Sequence, residues 1–175
     1  MDGRTIAVLR GADDRHLLPA ARVLLDAGLR LELQLTTPGA LAAIEALDGA
    51  GPDAGGGVGA GRVVTRSEAA DAVAAGASFL VTPTLVADVI DYANDRGVPV
   101  YAGALTPTEV WDAHRAGATF IKVVPAGRVG PGYISALRRP FPEPAYVAVG
   151  GIPLGRAAEY LAAGAVAVAP RPRRP

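Results

Sequence analysis

Eight short apolar, β-branched runs alternate with alanine-rich segments of helical period along this 175-residue chain. Together they predict an α/β fold, a compact (β/α)8 TIM barrel. The runs start between positions 5 and 165, about 23 residues per unit, which suits parallel strands joined by crossover helices. The pairs Ala27-Gly28, Gly76-Ala77, Gly117-Ala118 and Gly164-Ala165 each close a helical pattern just ahead of a strand, where glycine fits the left-handed helix cap. The competing architecture is an open doubly wound sheet. It lacks its strand–GxGxxG–helix fingerprint here, and the glycine-rich stretch 55–61 runs into a strand rather than a helix.

Taken in order, strands are expected at 5–10, 30–36, 58–63, 78–83, 98–104, 119–125, 145–150 and 165–169. After the seventh, the pair Gly150-Gly151 precedes a helix starting near Leu154. After the eighth, Arg171-Pro172-Arg173-Arg174-Pro175 offers nothing from which a last helix forms. Residues 1–170 therefore read as a single (β/α)8 domain and 171–175 as a solvated Arg/Pro-rich tail. The outer face of the last strand is then left for another subunit to cover.

Composition removes several function classes. Seventeen basic residues balance seventeen acidic ones, so no overall field draws nucleic acid or an anionic membrane. The absence of cysteine excludes disulfides, a thiolate zinc site and a cysteine nucleophile. Two histidines, His16 and His114, are too few for a multi-histidine metal centre, and 5% aromatic residues too few for a base-stacking platform. The apolar run Ile6 to Leu9 is too short for a signal peptide or membrane span. A soluble cytoplasmic protein with no nucleic-acid or membrane partner is expected.

Parallel strands covered on both faces normally read as unbroken apolar runs. Three strands here do not. In the second, Leu31, Leu33 and Leu35 share one face and Glu32, Gln34 and Thr36 the other. In a barrel the leucines meet the helices and the polar trio lines the interior. In the sixth, Lys122 interrupts Phe120 to Pro125. Burial without compensation favours the neutral amine, which is a competent nucleophile toward carbonyls; the bland alternative is a lysine reaching out from a strand end. At the carboxyl end of the third, Arg62 stands where barrel active sites are built and is shaped to hold a carboxylate, unless it points outward as a loop cation. The Gly150-Gly151 pair supplies backbone donors of an anion site, whereas Pro170 and Pro172 remove them after the eighth strand.

Val8-Leu-Arg10, Leu31-Glu32-Leu33, Gly59-Ala-Gly61, Thr82-Pro83, Leu105-Thr-Pro-Thr-Glu109, Phe120-Ile-Lys-Val-Val-Pro-Ala126 and Gly150-Gly-Ile152 follow one another over residues 5–169. In this order and spacing the chain resembles the class I pyruvate-type aldolases of the 2-dehydro-3-deoxy-phosphogluconate (KDPG) and 4-hydroxy-2-oxoglutarate (KHG) family. The resemblance implies a homotrimeric barrel without metal or organic cofactor. It implies that Lys122 forms a Schiff base with a small-molecule 2-oxo acid and that Glu32 is the general acid/base. Arg10, Thr36, Arg62, Pro83, Val149, Gly150 and Gly151 stand at its substrate-side positions.

Departures from the family pattern gather in those positions. Thr36 replaces an arginine, Arg62 a threonine, Val149 another threonine, and Ala169-Pro170-Arg171-Pro172 the Gly-Ser phosphate loop. The expectation is an aldolase or lyase whose carboxylate-binding cation has moved to Arg62 and whose partner aldehyde carries no phosphate. The alternatives are an iminium-based dehydratase or decarboxylase, which shares the same first intermediate, and a catalytically silent scaffold.

Overall fold

The computed structural model describes residues 4–11, 15–49 and 57–171. Eight strands form one parallel sheet in chain order: β1 (Ile6–Leu9), β2 (Arg30–Gln34), β3 (Val58–Gly61), β4 (Leu80–Thr82), β5 (Val100–Ala104), β6 (Phe120–Val123), β7 (Tyr146–Pro153) and β8 (Ala167–Arg171). The sheet closes on itself through a parallel bridge between Thr5 and Val168, with the Val168 N–H donating to the Arg4 carbonyl at 2.9 Å. The expected barrel is thus the observed architecture, each strand lying within or close to its expected range.

Helices α1 (Leu17–Asp26), α2 (Ala40–Glu45), α3 (Arg66–Ala74), α4 (Ala87–Asn94) and α5 (Pro107–Arg115) each fill one crossover. The short α6 (Ala126–Val129) and α7 (Pro131–Arg138) share the sixth, and a single 3-10 turn at Leu154–Arg156 leads into α8 (Ala157–Ala162) in the seventh. The expected lack of a final helix concerns residues 172–175, which lie outside the described ones. Arg171, assigned to the tail from sequence, is instead the last residue of β8, paired with Pro153 of β7.

The glycines expected to end helices do so. After α1, Gly28 has φ +77°; the Leu29 N–H donates to the Leu24 carbonyl at 3.1 Å and the Gly28 N–H to that of Leu25 at 2.8 Å, the paired bonds of a left-handed helix stop. Two starts are equally specified. Thr65 with Glu68, and Thr106 with Glu109, form reciprocal capping boxes at the N-termini of α3 and α5.

Alternation sorts the side chains into two cores. Leu31 and Leu33 of β2, Val58 and Ala60 of β3, Leu80, Val100, Ile121 and Ala148 pack outward against the helices. Inside the barrel a smaller cluster joins Ile6, Phe79, Val81, Tyr101, Val147, Val149, Ala167 and Ala169. Its lower end is aromatic: Tyr101 stacks on Phe120 at 4.4 Å between ring centroids and tilts against Phe79 at 5.1 Å, and its hydroxyl accepts from Arg30 at 3.3 Å. Burial raises the Tyr101 phenol above its usual pKa, with Arg30 opposing that shift. This plug closes the amino-terminal end of the barrel and leaves the other end for a site.

Candidate active site

Strand register decides which side chains meet above the plug. Glu32 aligns with Val8 on β1 and Gly59 on β3; Lys122 aligns with Gly103 on β5 and Val147 on β7. β2 and β6 stand opposite each other in an eight-stranded ring, so two inward side chains one layer above the aromatics reach across the axis. Lys122 Nζ lies 3.4 Å from Glu32 Oε2 and 3.5 Å from Oε1. The lysine side chain is 12% exposed and the carboxylate 3%. Both contacts are longer than the roughly 2.7–2.9 Å of a tight charge-assisted hydrogen bond. The pair is close enough to pass a proton and loose enough to be parted by a small ligand.

Glycine makes the room for this arrangement. A Cβ on Gly61 would run into the Glu32 carboxylate, and one on Gly59 into the Phe79 ring. A Cβ on Gly103, the register partner of Lys122, would strike the Pro83 carbonyl. The Gly59-Ala-Gly61 run is therefore the space occupied by Glu32 and the plug beneath it.

Above the pair opens a cavity of about 650 Å³ at the carboxyl ends of the strands. Lys122, Glu32, Arg10, Arg62, Pro83, Val149, Gly150 and Gly151, all singled out from the sequence, line it. Arg62 is the only non-glycine described residue with positive φ, at +58°. A left-handed conformation there costs about 1–2 kcal/mol. It turns the residue off the end of β3 between the buried Gly61 and Val63 and brings it to the cavity rim. Gly150 and Gly151, at φ +90° and +76°, lie where the β7–β8 register shifts between Val149 and Pro153.

Thr36 lies beside this cavity and not in its wall. β2 ends at Gln34, because the Thr37 N–H turns back to the Gln34 carbonyl at 2.8 Å and breaks the alternation. Thr36 is left exposed in that turn and touches only a shallower recess of about 410 Å³ beside the cavity, together with Arg10, Gly11, Gln34 and Arg62. The buried threonine is the next one: Thr37 Oγ1 accepts from the Gly11 N–H at 3.2 Å, tying the chain after β1 to that after β2. Leu35, expected to face the helices with Leu31 and Leu33, is only partly buried against that core.

Val8, Val124 and Arg171 are walls that the sequence did not assign to the cavity, and Gln34, placed on the interior face of β2 by the alternation, lines it too. Gln34 and Arg171 carried a usable signal, since each has the inward parity of its strand. Tyr101 is in the plug, and Tyr133 donates to the Leu105 carbonyl at 2.8 Å; neither lines the cavity. His114 lies on α5 beside Trp111, which stacks on Phe141, away from the site. Among the described residues no group of three His, Asp, Glu or Cys side chains comes together to hold a metal ion. No helix among them is long and apolar enough to cross a membrane.

Comparison with known proteins agrees with this fold. The family model for KDPG and KHG aldolase matches residues 1–170. The 2-dehydro-3-deoxy-phosphogluconate aldolase of Pseudoalteromonas atlantica is 35% identical over 161 residues, covering 91% of this chain and 74% of the relative. The 2-dehydro-3-deoxy-6-phosphogalactonate aldolase of Escherichia coli is 36% identical over 163 residues, covering 91% and 78%. A solved KDPG aldolase from Legionella pneumophila, holding pyruvate as a covalent carbinolamine, superposes with a TM-score of 0.81 at 28% identity over 96% of this chain and 82% of that one. This chain belongs to the KDPG and KHG aldolase family and is an aldolase of the Schiff-base class.

Proposed function

We propose that the chain cleaves or forms a C–C bond in a 2-oxo acid through an iminium on Lys122, with Glu32 moving the protons and no phosphate on the partner aldehyde. The observation that carries this reading is the Lys122–Glu32 pair facing across the barrel at the floor of the cavity, within 3.5 Å. The amine of Lys122 adds to the ketone carbon to give a carbinolamine. Glu32, in its protonated form, delivers the proton on which the hydroxyl leaves as water, and the iminium remains. That cation accepts the electron pair of the adjacent C–C bond, while the Glu32 carboxylate takes the proton from the hydroxyl on the departing carbon. An enamine and an aldehyde result. Reprotonation of the enamine and hydrolysis of the iminium release pyruvate and restore the lysine.

Arg62 supports a carboxylate contact for the 2-oxo acid: it sits at the rim in a strained conformation with no ion-pair partner among the described residues. Arg62→Ala is expected to raise the KM for a 2-oxo acid at least tenfold, with a smaller change in kcat; an unchanged KM overturns the assignment. Absence of phosphate on the partner is supported by Val149, which has no hydroxyl, and by Pro170, which has no N–H. A homotrimer fits the family resemblance. A monomer in sedimentation velocity at assay concentration would overturn it.

The deciding experiment is incubation with pyruvate and sodium borohydride, followed by peptide mapping. A reduced adduct at Lys122, absent from Lys122→Ala, is the expected result. An adduct elsewhere, or none with pyruvate or larger 2-oxo acids, refutes the assignment of Lys122. The silent scaffold has no observation in its favour, since the pair and the space around it are intact.

A further inference from the structure

The cavity is polar on one side and apolar on the other, and strand order explains why. Arg171 ends β8, Arg10 follows β1, Gln34 ends β2 and Arg62 follows β3. These strands are consecutive neighbours in the closed sheet, β8 meeting β1 through the Thr5–Val168 bridge. The four side chains therefore form one arc along the rim, and all of them line the cavity. The facing wall, from β4, β6 and β7, supplies Pro83, Val124 and Val149. Among the described residues, no hydrogen bond or ion pair occupies the side chain of any member of the arc. Among the described residues the only acidic side chain lining the cavity is Glu32, which already faces Lys122. Three guanidinium groups and a carboxamide, all without partners, thus converge on a space that holds one compensated ion pair.

Such an arc fits a ligand with more than one anionic end. One carboxylate, that of the 2-oxo acid, is taken by Arg62. Arg10 and Arg171 remain, on adjacent strands at the other end of the arc. Gln34 stands between the two ends. A carboxamide both donates and accepts, so it complements a hydroxyl, which does the same. The second anion is better matched by a planar carboxylate than by a phosphate. β8 reaches the rim with Pro170, which has no N–H, and continues into Arg171 paired to Pro153, another residue without one. Among the described residues of β8 and the end of β1, that leaves the guanidinium forks of Arg171 and Arg10, which bind a carboxylate through two parallel bonds, as the cavity's donors.

We infer that the substrate is a six-carbon 2-oxo-3-deoxy sugar diacid, with its distal carboxylate between Arg10 and Arg171 and a hydroxyl of its middle carbons on Gln34. The inference rests on the Schiff-base reading above and adds the identity of the partner aldehyde. The C3–C4 bond breaks, its electron pair enters the iminium, and the C4 hydroxyl proton goes to Glu32. The departing three-carbon fragment is 2-hydroxy-3-oxopropanoate, and the enamine takes up a proton and water to leave as pyruvate. Six carbons become three and three, and no oxidant or reductant is required.

The test runs in the condensation direction, with pyruvate as donor and four acceptors: 2-hydroxy-3-oxopropanoate, glyceraldehyde 3-phosphate, glyceraldehyde and glyoxylate. Borohydride trapping with pyruvate alone is run alongside, so that a failed Schiff base is told apart from a wrong acceptor. With the adduct present, kcat/KM for 2-hydroxy-3-oxopropanoate is expected to exceed each of the other three at least tenfold. Equal or better use of glyceraldehyde 3-phosphate, of uncharged glyceraldehyde or of glyoxylate overturns the inference, each exposing a different error: the anion, the charge or the hydroxyl. Arg171→Ala, checked for folding by its thermal transition, is expected to lower the 2-hydroxy-3-oxopropanoate to glyceraldehyde preference tenfold or more. Gln34→Leu is expected to lower the preference over glyoxylate, with Gln34→Asn restoring part of it. An unchanged preference in either Arg171→Ala or Gln34→Leu also overturns it.

Discussion

Glu32 is held by what its neighbours lack. Gly61 has no side chain where the carboxylate lies, and Gly59 none where the Phe79 ring supports the layer below. Removing the carboxylate's proton chemistry without removing its volume separates its role from that of the lysine. Glu32→Gln is expected to lower kcat by about 10²–10⁴-fold, the usual range for a general acid/base, while a borohydride-trapped adduct on Lys122 still accumulates on long incubation. Gly61→Ala tests the same group through its seat. The added methyl drives the carboxylate from its place, so kcat is expected to fall at least tenfold, with the loss of proton transfer visible as an altered pH–rate profile. A variant with wild-type kcat and pH profile would show that Glu32 adapts without cost.

The elements owe their limits to local chemistry. β2 stops at Gln34 because the chain turns there, and that stop separates Gln34 inside the cavity from Thr36 outside it. α5 starts where Thr106 and Glu109 exchange hydrogen bonds, with Pro107 at the first helical position. The backbone N–H groups of Thr106 and Leu105, with the Thr106 hydroxyl, hold the Glu109 carboxyl below the usual carboxylate range. A carboxyl whose folded pKa is lowered adds stability above its unfolded pKa, and loses it as pH falls through the folded one. Glu109→Gln is expected to cost a few tenths of a kcal/mol near neutrality, because the site is exposed and solvent screens it. The difference from wild type should vanish in acid. Thr106→Ala removes the cap itself and is expected to cost about 1 kcal/mol. Denaturant titrations at pH 7 and pH 3 read both effects.

For the molecule as a whole, the barrel is secured by two cores that meet only through the strands. Tyr146 on β7 belongs to the outer one, and its hydroxyl donates to the Phe141 carbonyl at 2.8 Å. Burial pushes its phenol up to about 12, with Arg138 opposing and Glu143 adding to the shift. The folded state therefore holds this proton more tightly than the unfolded chain, where a tyrosine titrates near 10. Its contribution is complete below about pH 10 and is lost as pH rises through about 12. Tyr146→Phe is expected to flatten the alkaline fall in stability over that window. It should cost about 1 kcal/mol at neutral pH, the net value of one hydrogen bond. Equal alkaline slopes for the two proteins would assign the fall to other groups.

Local pattern alone set the repeating βα order, the glycine helix stops, and the charged residues Glu32, Arg62 and Lys122 in or at the end of their strands. A period of two on β2 is enough to put Glu32 and Gln34 on one face, whatever the strand pairs with. Local pattern did not determine that Glu32 and Lys122, 90 positions apart, lie within 3.5 Å of each other. Closure of the ring, with β2 and β6 on opposite sides and their registers aligned, decided that. Closure also put Arg171 of β8 and Arg10, just after β1, on neighbouring strands around one cavity, where the pattern of either strand alone shows only a cation at its end. The turn that excluded Thr36 was likewise invisible to alternation, because it depends on Thr37 being buried against the chain after β1. Pattern fixes which way a side chain faces; the closed sheet decides what it faces.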